Sequence, residues 1–172
     1  MKRLTAILTL MMTALLSLTF TSCDPDAEVA YYMDGTWKGN IYVSSEYDGQ
    51  VYKAAYSEIE FDSGYNSGDG YWIDYYSNSP YDYVANHITW VVRDQNIYIH
   101  FREENTDIVI YDYTINDLKF SGYIQTNDGT RAAFNLYHTS SLNWNSYRYG
   151  FNSYAKTRSN DAVISPKRMF VK

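Results

Sequence analysis

Polar chemistry in this chain would have to come from three histidines, one cysteine and a scatter of carboxylates. His87, His100 and His138 are the three histidines, a poor stock for metal ligation or a Ser-His-Asp relay. If Asp94-Gln95 is a hairpin turn, His87 faces Arg102 and sits diagonal to His100, about 7 to 8 Å away by strand geometry. Both then lie opposite Trp90 and Ile99, so they read as surface histidines, and the neighbouring arginine argues against a cation. Glu58 and Glu60 are two apart on one strand and share a face, which is the spacing of a glycosidase-like pair. They stand opposite the apolar face, where solvated charge is expected. Glu103, Glu104 and Asp112 are further carboxylates. No nucleophile elbow, phosphate loop or zinc-helix spacing appears, and Asp69-Gly70 reads as a turn. No catalytic residue, metal or cofactor is expected, and the chain reads as a non-enzyme.

The elements that would position these groups are strands. The chain has 20 Tyr and 4 Trp, with few Leu beyond its first residues. Aromatic and β-branched residues suit a pleated, half-buried surface. Short strands at fairly even spacing are predicted over Thr36–Val43, Val51–Phe61, Gly70–Tyr76, His87–Arg93, Asn96–Phe101, Asp107–Ile115, Leu118–Gln125 and Arg131–Tyr137. No segment keeps a helical period for long.

A slip of one residue turns every side chain to the other face, so the turns test the register. A three-residue loop at Tyr47-Asp48-Gly49 pairs Trp37 with Ile59, Ile41 with Ala55 and Val43 with Lys53. The Asp94-Gln95 turn pairs Val92 with Ile97, Trp90 with Ile99 and Ile88 with Phe101, a wholly apolar face. A turn at Asn116-Asp117 pairs Tyr113 with Phe120, Tyr111 with Gly122 and Val109 with Ile124. A three-residue loop at Asn127-Asp128-Gly129 carries that face on to Ala132, Phe134 and Leu136.

The reading is therefore all-β: an eight-stranded antiparallel up-and-down barrel over residues 35–140, with an irregular C-terminal extension at 141–172. Closure removes exposed edges, and eight strands leave an interior that holds side chains or one small ligand. Gly35-Thr36-Trp37 opens the first strand and resembles the Gly-x-Trp signature of lipocalins. The run to about Ser140 is similar to the lipocalin-like (calycin) domains of bacterial lipoproteins. The second family motif, Thr-Asp-Tyr before the seventh strand, is missing, and Thr106-Asp107-Ile108 stands one strand too early. The arginine that covers the signature Trp in lipocalins is Arg131, Arg148 or Arg158.

The N-terminus reads as an export signal over residues 1–22. Lys2 and Arg3 precede an uncharged run from Leu4 to Phe20, and Phe20-Thr21-Ser22-Cys23 resembles a lipobox with Phe in place of the usual Leu. Cys23 is the lone cysteine, so no internal disulfide forms and acylation is its expected fate. Two or three acyl chains anchor a protein stably, so the membrane is an expected partner. Residues 23–34 then read as the lipidated cysteine and an acidic tether. Asp24-Pro25-Asp26-Ala27-Glu28 resembles an export tag for the outer surface in some gram-negative bacteria, whereas Asp directly after the cysteine elsewhere retains a lipoprotein in the inner membrane. The outer membrane or cell surface is the preferred location.

After residue 22, 150 residues remain with a net charge of −8, enough for one core and unsuited to nucleic acid. The segment after Ser141 is either a tail with a last strand at Met169-Phe170-Val171 or a loose strap over the barrel mouth. Lys156, Arg158, Lys167, Arg168 and Lys172 against Asp161 give a local charge of +4, which suits a solvated tail or an arm that touches phosphate or lipopolysaccharide. Trp37, Trp90, Tyr111 and Tyr113 map to the inner face as candidate ligand-binding residues, where rings line a cavity and hydroxyls orient a ligand. Tyr52, Tyr56, Tyr71, Tyr75, Tyr81 and Tyr83 fall outside or on loops, suited to sugars or a protein partner. The leading function is a lipid-anchored binding protein for a small apolar or glycan ligand. The alternative is an accessory protein with a filled barrel and an aromatic outer patch. A glycan hydrolase stands last.

Overall fold

Along Tyr83–Arg93 every second residue from Val84 to Val92 is buried, and Arg131–Thr139 repeats the alternation through Ala132, Phe134 and Leu136. This period-two burial is what a sheet with one inward face demands. The computed structural model describes residues 24–62, 64–150 and 166–170. Helix α1 (Pro25–Met33) precedes β1 (Gly35–Asn40), β2 (Val43–Tyr47), β3 (Gln50–Phe61), β4 (Ser67–Tyr76), β5 (Tyr83–Arg93), β6 (Asn96–Phe101), β7 (Thr106–Ile115), β8 (Lys119–Thr126) and β9 (Arg131–Thr139). A single 3-10 turn at Trp144–Ser146 and a short β10 (Lys167–Phe170) follow. Each strand from β3 to β9 pairs antiparallel with the next, and β1 pairs with both β3 and β9. The result is a closed eight-stranded antiparallel barrel. Residues 1–23, on which the expected leader and Cys23 fall, lie outside the described residues.

All eight expected strands are present, but the first is broken. Tyr42 takes a left-handed φ of 55°, and its N–H bonds the Asn40 side chain at 2.8 Å. Before this bend Trp37 pairs with Ile59, as the sequence predicts. After it, Tyr47 pairs with Gln50, so the hairpin is a two-residue turn of Asp48 (φ 51°) and Gly49 (φ 71°), not a three-residue loop. Those two positive φ values define the primed turn that matches strand twist. Lys53 consequently faces Ser44, not Val43, and the irregularity at Ile41-Tyr42 absorbs the one-residue difference. The Asp94-Gln95 and Asn127–Gly129 connections give the expected pairs, Trp90 with Ile99 and Phe120 with Leu136 among them.

The β7–β8 connection does not. The sequence puts Asn116 inside the turn, yet its Oδ1 accepts from the N–H groups of Leu118 (3.0 Å) and Lys119 (2.9 Å), the mark of an Asx residue that opens a turn. The turn therefore sits one residue later, at Asp117-Leu118. A bulge then shifts the pairing again between Tyr111 and Thr114, with Asp112 at φ 46°. Beyond the bulge Ile108 and Ile110 are buried, and Val109 and Tyr111 take the outer face. Tyr113, on the turn side, keeps the inner face. Gly122 lies against it: a Cβ there would stand 2.6 Å from the Cβ of Tyr113.

The acidic stretch expected as a tether is instead helical. Asp24 caps α1 by accepting from the Asp26 N–H at 3.0 Å, and Pro25 takes the first helical position, where its missing N–H is harmless. Asp26 accepts from the backbone N–H groups of Asp94 (3.1 Å) and Gln95 (2.8 Å), pinning the helix over one barrel end. Ala30 and Met33 are buried in that end. Trp37 completes the seal, since its Nε1–H donates to the Met33 carbonyl at 2.8 Å, one of the acceptors a helix C-terminus leaves unpaired. The ring at the rim beside Trp37 is His138, edge-on at 5.0 Å. Arg131 faces outward over Tyr123, the Arg148 backbone lies by Tyr83, and Arg158 is outside the described residues.

Trp37 is 0% exposed and contacts both the helix and Phe120, so Trp37→Ala is expected to lower stability by about 3–5 kcal/mol. Urea unfolding measures this, and Trp37→Phe should lose less.

Candidate functional site

The interior is built of rings and branched aliphatics. At the helix end Trp37 meets Phe120 edge-on at 5.7 Å, and Phe120 meets Phe134 at 4.8 Å. Trp90, 2% exposed, packs against Phe61 at 6.0 Å and donates to the Asp69 carbonyl at 2.9 Å. Of the four candidate rings, Trp37, Trp90 and Tyr113 thus face inward. Tyr111 lies on the outer wall, for the register reason given above. Tyr113 has a buried hydroxyl without a hydrogen-bond partner, and burial, reinforced by Asp26, pushes its phenol up to about 12.

The opposite end, the mouth, holds polar groups absent from the sequence-based candidates. Asp74 is 0% exposed on the same face of β4 as Trp72 and Tyr76. Its Oδ1 accepts from the Ser57 hydroxyl (2.6 Å) and from Trp72 Nε1 (2.9 Å). Arg168 of β10 reaches in from above, with Nη2 2.7 Å from Asp74 Oδ2 and 3.7 Å from Glu104 Oε1. The Asp74 contact is a close ion pair, and Arg168 Nη2 and Asp74 Oδ2 have no hydrogen-bond partner besides it. Nε and Nη1 of Arg168 and Oδ1 of Asn86 are likewise buried without partners, while Asn86 Nδ2 donates to Glu104 at 2.8 Å. The guanidinium lies 4.2 Å over Phe101 and 5.6 Å from Trp72, within cation–π range. An acidic residue alternating with Trp72 and Tyr76 is a legible signal for an inward carboxylate. Its partner, 94 positions later, is not.

A cleft of about 420 Å³ opens beside this cluster, between β10 and the turns β6–β7 and β8–β9. Ile108, Met169 and Phe170 give it apolar wall, and Glu104, Lys167 and Arg168 give it charge. Asp128 at its rim accepts from the Thr126 hydroxyl and the Thr130 N–H, which hold its carboxyl down at about 2. The C-terminal strand expected at Met169 is thus present as β10, antiparallel to β2. Its Arg168 faces Asp74 and Glu104 inside the barrel.

The outer wall of β3–β5 is not solvated as expected. Residues 141–150 fold back across it, with Trp144 stacked on Tyr71 at 5.2 Å. Gly150 N–H bonds the Ala85 carbonyl at 2.9 Å. Glu60 accepts from Thr36 (2.8 Å), Ser141 (2.7 Å) and Trp144 Nε1. Glu58, 4% exposed, pairs with Lys38 at 2.7 Å and accepts from Tyr75 at 2.8 Å. Both carboxylates are held by donors. Tyr71, Tyr75 and Tyr83 belong to this outer aromatic layer, and Tyr81 is buried at the mouth beside Ser45. His87 pairs with Glu103 and His100 with Asp107, each taking its own carboxylate. Among the described residues no group of three His, Cys, Asp or Glu side chains gathers around one point, and no helix is long and apolar enough to cross a membrane.

A closed eight-stranded barrel, capped at one end by a short helix sealed with a tryptophan and open at the other to a cleft, defines a class of small-ligand binding folds. A family model described as a lipocalin-like domain matches residues 33–122. The chain belongs to that lipocalin-like family. No curated protein matches it. Among solved structures it is similar to a redesigned β-barrel at 14% identity and a TM-score of 0.41, over 65% of this chain and 95% of that one.

The mouth and the outer layer each allow a test. Asp74→Asn leaves Arg168 buried beside one carboxylate, and a loss of about 3–5 kcal/mol is expected in urea unfolding. Combining it with Arg168→Met should restore most of that loss. Burial also pushes the phenols of Tyr75, Tyr76, Tyr81, Tyr113 and Tyr149 above their ordinary value of 10.0. A raised phenol pKa favours the neutral form in the fold, so its stabilisation is complete below pH 10 and is lost as pH rises through the folded values. Tyrosinate absorbance should show these five phenols ionising only above their ordinary value of 10.0, together with unfolding.

Proposed function

We propose that this chain is an extracytoplasmic, lipid-anchored binding protein that takes a small amphiphilic ligand at the barrel mouth. The observation that carries this reading is Arg168, buried with unused N–H groups beside a cleft walled by Ile108, Met169 and Phe170. Buried donors without acceptors are costly, and a ligand oxygen would relieve them. Two carboxylates already face the one guanidinium, so an uncharged acceptor such as a carbonyl or ester suits the site better than an anion. The apolar wall suits an acyl or ring body. Binding requires only complementarity here, and no catalytic step is assigned.

The leader and Cys23 support anchoring. Because α1 begins at Pro25, an acylated Cys23 would hold the helix-capped end against the bilayer and turn the mouth away from it. The outer membrane or cell surface is the location proposed. The ring-to-ring packing between Trp37 and Phe134 favours a second reading, an accessory protein whose filled barrel presents a surface to a protein partner.

Two measurements separate these readings. Cys23→Ser should abolish incorporation of labelled palmitate by the full-length protein in a bacterial host, and unchanged labelling would refute the anchor. Native mass spectrometry of residues 24–172, exported without lipidation and exposed to a bacterial membrane-lipid extract, should show a discrete added mass that Asp74→Asn/Arg168→Met removes. An apo mass under both conditions would refute the mouth as a ligand site and favour the accessory reading.

A further inference from the structure

The wall of β6, β7 and β8 differs from the wall under residues 141–150: no described element covers it. A groove of about 470 Å³ opens there between Asn96, Tyr98, Val109, Tyr111, Gln125 and Asn127. We propose that this groove binds a neutral oligosaccharide.

The register builds the floor. Tyr98, Val109 and Gln125 stand on one rung, with Tyr111 opposite Tyr123 on another. Side chains on adjacent strands at one level stand about 5 Å apart, so rings and amides alternate at the scale of a sugar ring. Tyr98 and Tyr123 are 38% and 39% exposed, so part of each side chain is open to a ligand. The rings are also held. Arg131 lies 3.9 Å over Tyr123 and 5.0 Å over Tyr111, and Arg93 lies 5.9 Å over Tyr98. Such contacts limit ring motion and lower the entropy lost on binding.

Hydrogen-bonding capacity points the same way. The side-chain amides of Gln125 and Asn127 and the hydroxyls of Tyr98, Tyr111 and Tyr123 make no hydrogen bond with the described residues. Each amide offers donors and an acceptor in one plane, a match for vicinal hydroxyls. Charge selects among ligands. Every residue lining the groove is uncharged on a chain of net charge −6. Arg131 is engaged by two rings and by Asp112 at 3.5 Å. A protein interface would call for a larger apolar centre, whereas Val109 is the one aliphatic side chain lining this groove.

The groove meets the cleft at Thr126 and Asn127 but includes none of Asp74, Glu104 and Arg168, so substitutions in that cluster and on the groove floor test the two sites apart. Isothermal titration of the full-length protein in detergent micelles with cellohexaose, xylohexaose and maltohexaose provides the test. At least one should bind, and Tyr98→Ala and Gln125→Ala should each weaken it by roughly tenfold or more, while Tyr98→Phe keeps most of the affinity. Both positions lie on the outer wall, and circular dichroism checks that the fold is retained. Asp74→Asn/Arg168→Met should leave the sugar affinity unchanged, so failure at one site is distinguishable from failure at the other. Absence of binding by all three hexasaccharides, or binding that survives Tyr98→Ala combined with Tyr111→Ala, would overturn the proposal.

Discussion

The barrel depends on β1 hydrogen-bonding along both of its edges at once. This strand, Gly35–Asn40, pairs with β3 on one side and β9 on the other, and without it the sheet from β3 to β9 would be an open ribbon with two exposed edges. Trp37 sits at the middle of that closure, its ring in the core and its N–H on the last carbonyl of α1. Closing the ring and capping one end are therefore a single event, in which one side chain couples sheet and helix.

The same strand creates the mouth. Tyr42 turns the chain away from β9, so β2 continues along β3 but leaves its other edge unpaired by the barrel. β10 takes that edge. Because β10 joins the sheet at one side only, it stands off from the β8–β9 turn, and the cleft lies between them. Arg168 is carried into this wedge as a consequence. An arginine beside Asp74, Glu104, Trp72 and Phe101 is a demanding solution, since desolvation of three charges opposes folding and donors are left unused. Such a cluster adds little net stability and leaves unsatisfied polarity buried beside the cleft.

The two outer walls follow from different covering. Residues 141–150 turn Tyr71, Tyr75 and Tyr83 into a second small core and bring donors to Glu60. The wall of β6–β8 keeps its tyrosines half open, stiffened by arginines. A chain with this many tyrosines can supply a core, a covered layer and an open groove from one residue type, because the phenol ring is apolar on its faces and polar at its tip.

Much of the fold is legible in the residues themselves. Alternation and turn residues locate all eight strands, the Asp94-Gln95 and Asn127–Gly129 turns pair their strands in the right register, and Gly35-Thr36-Trp37 marks the strand that closes the barrel. The cap of α1 is also written locally, as Asp24 before Pro25 with acidic residues in the first turn, but nine residues carry too little period to stand out. Tyr111 is assigned to the wrong face from sequence because a bulge reverses the faces beyond it, and a bulge is decided by how a strand fits both neighbours. The pairing of Asp74 with Arg168, the layer over Glu58 and Glu60, and the groove beside Tyr98 depend on contacts between distant segments. The sequence by itself determined the strands, most turns and one inward face, since these are set by neighbours along the chain. Tertiary structure alone decided which polar groups are buried together and which rings stay open, since that depends on where the returning C-terminal segments find space.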